Sequence, residues 1–194
     1  MTNSFKRAGY IFCLFIVGIL AGCVPIKGDL PVDYHFKPDT TEGLAILSIA
    51  CDLGEGDSSA NLFLNKKEPS DNDPQLYRVI VNCGAGGSLA DRLFNEKAGK
   101  PALKILNLSE GTYYFNSIMQ NIGEKIVTVK FNPLYFKVLP QQVSYLGRLK
   151  IAPDNNEVRF GLIDAENQDI PWAKQKLLFL NKEKIKINYL SKSN

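Results

Sequence analysis

The stretch VSYLGRLKI, residues 143–151, places Val143, Tyr145, Leu149 and Ile151 at alternate positions and carries β-branched and aromatic side chains. That pattern describes a β-strand rather than a helix. The same texture recurs from residue 43 onward, as in KIVTVKF at 125–131. Strands are expected at about 44–51, 60–65, 76–83, 102–108, 112–119, 125–131, 134–139, 143–151 and 157–163. Turn chemistry separates them: GEGDSS, EPSDNDP, SEG, NIGE, NP and PDNN. Many short strands with regular turns imply a mainly β protein, a β-sandwich of the general immunoglobulin-like kind, rather than a parallel α/β sheet.

Two helices are expected to interrupt the strands. Ser88-Leu89-Ala90-Asp91 has the form of a capping box, with Gly99 as a stop, giving a short mid-chain helix. Near the C-terminus, Ile170, Ala173, Leu177 and Leu180 recur at helical spacing after Asp169. Residues 24–42, VPIKGDLPVDYHFKPDTTE, hold three prolines and little periodicity, which reads as an extended, flexible tether.

The first residues carry a different signal. Lys6 and Arg7 precede a run from Ala8 to Leu20 that is apolar apart from glycines, a tyrosine and Cys13. A basic start, a short apolar run and small residues after it describe an export signal. The run is too short to span a bilayer comfortably, which takes about 20 apolar residues. Leu20-Ala21-Gly22-Cys23 resembles the lipobox of bacterial lipoproteins at all four positions. The resemblance implies cleavage between Gly22 and Cys23 by the lipoprotein signal peptidase, and acyl chains such as palmitate on the Cys23 thiol. Each buried methylene contributes about 0.8 kcal/mol, so two or three chains hold a protein on a membrane stably. Val24 stands where an aspartate would favour inner-membrane retention, so the family pattern points to the outer membrane, facing the periplasm. The expected organisation is a signal peptide at 1–22, a lipidated tether at 23–42 and one β-sandwich domain at 43–194 with a basic C-terminal helix.

A second resemblance concerns the domain. NLSEGTYYFNSI at 107–118, followed by FKVLPQQVSYLGRLKI at 136–151, is similar to a strand pairing in transthyretin-like, carboxypeptidase-regulatory-like domains of bacterial lipoproteins. Leu108, Gly111, Tyr113, Phe136, Val138, Pro140, Tyr145, Leu146 and Gly147 carry it. The family often has glycine after the proline, where this chain has Gln141. These motifs specify a fold and not a reaction.

With the signal removed, 21 basic residues face 20 acidic ones. A nucleic-acid binder carries a strong basic excess, so that class is not expected. Of four cysteines, Cys13 leaves with the signal and Cys23 is acylated on this reading, leaving Cys51 and Cys83. Each ends an apolar run, and the compartment is oxidising. A Cys51–Cys83 disulfide is favoured over two separate buried thiols, and would stabilise by about 3 kcal/mol.

Catalytic patterns are sparse. The single histidine, His35, lies in the tether, and the chain has no Gly-x-Ser-x-Gly elbow and no His-Glu-x-x-His helix. Gly84-Ala85-Gly86-Gly87 stands between a strand and a helix, but Leu89 breaks the dinucleotide pattern and no Lys-Ser/Thr pair follows, so a turn is expected and no nucleotide. Asp52, Glu55 and Asp57, and Asp71 with Asp73, supply calcium ligand types without the spacing of a calcium loop. No metal or cofactor is expected beyond the lipid. Residues 172–194 carry six lysines against Glu183. Lys174, Lys176, Lys182, Lys184 and Lys186 are a candidate contact face for anionic envelope material or an envelope partner, or else an ordinary solvated face. The expected function is non-enzymatic: a lipid-anchored binding or assembly module. The alternatives are a lipoprotein component of a multi-protein envelope or secretion machine and, least favoured for want of a base, an envelope hydrolase.

Overall fold

The structure is a computed structural model that describes residues 24–25, 30–31, 33–51, 59–69, 76–82, 101–122, 125–154 and 157–192. The expected mid-chain helix at 88–99 lies outside them. Among the described residues, ten strands form two sheets packed as a sandwich, as the strand pattern predicts. Sheet A runs in the order β1 (Val24–Pro25), β4 (Tyr77–Asn82), β3 (Ser59–Lys66), β6 (Gly111–Ile122), β7 (Lys125–Val138). Sheet B runs β10 (Ile185–Ile187), β8 (Val143–Asp154), β2 (Glu42–Cys51), β5 (Ala102–Ser109), with β9 (Glu157–Ile163) also on β8.

Between the sheets lies the main core. Leu47, Ile49, Leu62, Leu64, Phe115, Ile118, Leu149 and Ile151 are all fully buried there. Sheet B is covered on its other face too, by α1 (Glu166–Lys176) and a 3-10 turn (Leu178–Asn181). Leu44, Ile46, Leu103, Val143 and Tyr145 meet Ala173, Leu177 and Leu180 in this second cluster. A strand buried on both faces needs apolar residues at successive positions and not only alternate ones. This is why β2 reads LAILSIAC without a polar face, and why it pairs in parallel with β8 at the centre of a mixed sheet.

The alternation in VSYLGRLKI conceals a change of face. Strict period two would put Val143, Tyr145, Leu149 and Ile151 on one side. In the structure Val143 and Tyr145 face the helical layer, whereas Leu149 and Ile151 face sheet A. The cause is a bulge: Ile46 pairs with Tyr145 but Ser48 pairs with Arg148, so two residues of β8 oppose the single Leu47. Gly147 sits in the bulge with φ +98, in the left-handed region.

Two further differences have local causes. The strands expected at 125–131 and 134–139 are one strand, β7, and Asn132-Pro133 falls where its register with β6 shifts. Proline is tolerated there because β7 is the edge strand of sheet A. The C-terminal helix begins at Glu166, with Asp164 Oδ1 accepting from the Glu166 amide at 3.2 Å, and ends at Lys176. Leu177 is extended (φ −134, ψ 99), and the 3-10 turn after it returns Leu180 to the same cluster.

Candidate functional site

The helical layer and the N-terminal arm meet over one end of sheet B. Of the stretch read as a tether, Leu30, Tyr34 and Phe36 pack against the second cluster. Tyr34, Phe36 and Phe179 form three mutual edge-to-face contacts with centroids 5.4–5.9 Å apart. Such pairs are worth about 0.5–1.5 kcal/mol each beyond their buried area. The Tyr34 hydroxyl reaches Asn107 Oδ1 of β5 at 3.4 Å, and Asn107 in turn donates to Glu42 Oε2 at 2.9 Å. Burial of the Tyr34 phenol, then the Glu42 carboxylate, raises its pKa. Beside the aromatics a groove of about 460 Å³ is lined by Asp33, Tyr34, His35, Leu178, Phe179 and Lys182. His35, the only histidine, is exposed at its rim, its Nδ1 3.1 Å from the Asp33 carbonyl oxygen.

Under the helix lies a buried polar array. Asp169 is fully buried on α1 and accepts from the Tyr145 hydroxyl at 2.6 Å and from Arg148 Nη2 at 2.5 Å. Arg148 Nε donates to Ser48 Oγ at 3.3 Å. The bulge at Gly147 makes this possible. Without it, Tyr145 and Arg148, three apart on one strand, would point to opposite faces of the sheet. Burial, then the hydrogen bond to Asp169, pushes the Tyr145 phenol far above its ordinary value, so it stays protonated and a donor. The array lies between sheet and helix, with Arg148 keeping 15% of its side chain exposed, and its chemistry is that of a clamp: a charge-assisted contact holding α1 on sheet B.

The residues singled out in the sequence are distributed as follows. Cys23 and Cys83 lie outside the described residues, as do the Gly84–Gly87 turn and the acidic groups 52–57 and 71–73. Cys51, at the end of β2, is buried and disulfide-bonded. The lysines do not share one helix: Lys174 and Lys176 are on α1, Lys182 caps the 3-10 turn, Lys184 follows it, and Lys186 is on β10. Lys176 Nζ stands 5.3 Å from the Trp172 ring centroid, while Lys182, Lys184 and Lys186 are exposed. Among the described residues there is no group of three or more His, Cys, Asp or Glu placed to hold a metal, and no helix long and apolar enough to cross a membrane.

At the positions of the transthyretin-like resemblance, Leu108, Tyr113, Phe136, Val138, Tyr145 and Leu146 are buried, and Tyr113 donates its hydroxyl to the Ser109 carbonyl at 2.9 Å. That bond closes the turn into β6 from within the core. Gln141 takes φ 51, the conformation a glycine would adopt without strain.

Tyr145, Arg148 and Asp169 are the residues that sequence reasoning missed. Asp169, Ala173 and Leu177 share one helical stripe, and a carboxylate on an apolar stripe signals a buried cationic partner. The chain matches no protein-family model, and no curated protein matches it significantly.

Proposed function

We propose that this protein is a bacterial envelope lipoprotein, held through acyl chains on Cys23 and serving as a non-enzymatic binding or assembly module. The observation that carries the reading is Leu20-Ala21-Gly22-Cys23 closing a basic and then apolar leader. Cleavage before Cys23 follows from it, Val24 after the cysteine supports an outer-membrane, periplasm-facing location, and the transthyretin-like identity of the domain belongs to the same proposal. The Cys51 bond suits an oxidising compartment, and Cys83 is its proposed partner. Binding is assigned to the groove between the N-terminal arm and the 3-10 turn, where apolar and charged groups converge.

Membrane fractionation with mass spectrometry of the N-terminal peptide tests the anchor. The Cys23→Ser variant is expected to remain unprocessed and without acyl chains. A processed, membrane-bound Cys23→Ser protein would overturn the reading.

The second reading, a component of a multi-protein machine, draws on Ile126 and Val127, which are 69% and 39% exposed near the tip of the β6–β7 hairpin. Crosslinking in intact cells separates the two. A few proteins at fixed stoichiometry identify a machine component, and envelope background alone identifies a solitary module.

A further inference from the structure

Two independent contacts tie the N-terminal arm to one end of the sandwich. Val24 and Pro25 pair in parallel with Tyr77 and Arg78, so the described chain enters the fold beside the beginning of β4. The Tyr34 hydroxyl meets Asn107, which pairs with Leu44 near the start of β2. Leu44 is in register with Val143, and Val143 with Ile185, the first residue of β10. The row Asn107, Leu44, Val143, Ile185 therefore crosses sheet B at the end where the arm is held. Lys182 and Lys184 lie just before that row and Lys186 just after it, all exposed. Leu178, on the 3-10 turn beside Tyr34 and Lys182, leaves 59% of its surface exposed. The arm carries Asp33 and Asp39, Glu42 and Glu110 stand at the adjoining ends of β2 and β5, and Glu183 lies between Lys182 and Lys184.

We infer that this end of the molecule, with Leu178, Lys182, Lys184 and Lys186, rests on an anionic lipid surface as a second contact beside the acyl anchor. The inference rests on the lipoprotein reading, since the anchor at Cys23 brings this end to the bilayer. A lysine near an anionic leaflet contributes about 1 kcal/mol, and an exposed leucine beside the lysines suits the boundary between headgroups and chains. The contact orients the protein: the β6–β7 hairpin, with Ile126 and Val127, lies at the opposite end and points away from the membrane.

The test uses the processed protein purified from membranes and reconstituted into vesicles of phosphatidylcholine alone or with phosphatidylglycerol. Lysine acetylation is read by mass spectrometry, with Lys130 and Lys150 as references on exposed strand positions away from the contact. With about a third phosphatidylglycerol, labelling of Lys182, Lys184 and Lys186 should fall roughly threefold, and should recover at high salt. Equal labelling in the two vesicle types, on a protein whose N-terminal peptide carries acyl chains, overturns the contact face and leaves the anchor standing. A peptide without acyl chains overturns both.

Discussion

Asp169 is a carboxylate with no access to water, and its two donors come from a single strand. Removing Asp169 leaves the Arg148 guanidinium, only 15% exposed, without its partner, and breaking such a pair costs up to about 3–5 kcal/mol. Asp169→Ala is thus expected to destabilise the protein by that order, measured by urea unfolding. Tyr145 adds a pH dependence. Its folded-state pKa is raised above the ordinary value of 10.0, so its contribution is fully present below pH 10 and is lost as pH rises beyond it. Tyr145→Phe should be less stable at neutral pH by about 1.5–3 kcal/mol, the worth of a hydrogen bond to a charged group. It should also lose stability less steeply in alkaline titration than the unmodified chain does. Parallel alkaline slopes for the two would contradict this role.

At the scale of elements, the bulge in β8 decides which residues meet. Gly147 has φ +98, and a Cβ there would lie 3.1 Å from both Leu162 and Tyr189. Gly147→Val combines a disfavoured backbone region with crowding, and should cost about 2–4 kcal/mol in thermal or urea unfolding. Removing the bulge altogether, by deleting residue 147, should separate Tyr145 from Arg148 and release α1, visible as lost amide protection in 166–176. The strands were legible because alternation, β-branching and turn residues are local signals. The face change was not, because a glycine within an alternating run reads simply as its small member. The start of α1 was obscured similarly: Asp169 resembles a helix-initiating residue in sequence, whereas its carboxylate is committed to Arg148 across 21 positions. The break at Leu177 was hidden because Leu180 rejoins the same cluster through the 3-10 turn, which preserves the apolar spacing without continuing the helix.

Across the whole molecule, three layers share sheet B, so its strands report on both cores at once. Cys51, at the end of β2, is disulfide-bonded, and reduction is expected to lower stability by about 2–4 kcal/mol. A thermal scan with and without reductant checks this, and unchanged melting would show that the bond contributes nothing. The groove itself was not legible in the sequence, because Asp33–His35 and Leu178–Lys182 are far apart along the chain and only folding of the arm onto the layer joins them. That seating also sets how the molecule bears load. Tension applied ahead of Val24 would first shear the two paired residues of β1, then peel Tyr34 and Phe36 from Phe179. Only afterward would it reach β2, locked between β5 and β8. The arm and its aromatic seat are thus a mechanical fuse, yielding under a pull while the sandwich behind them keeps its shape.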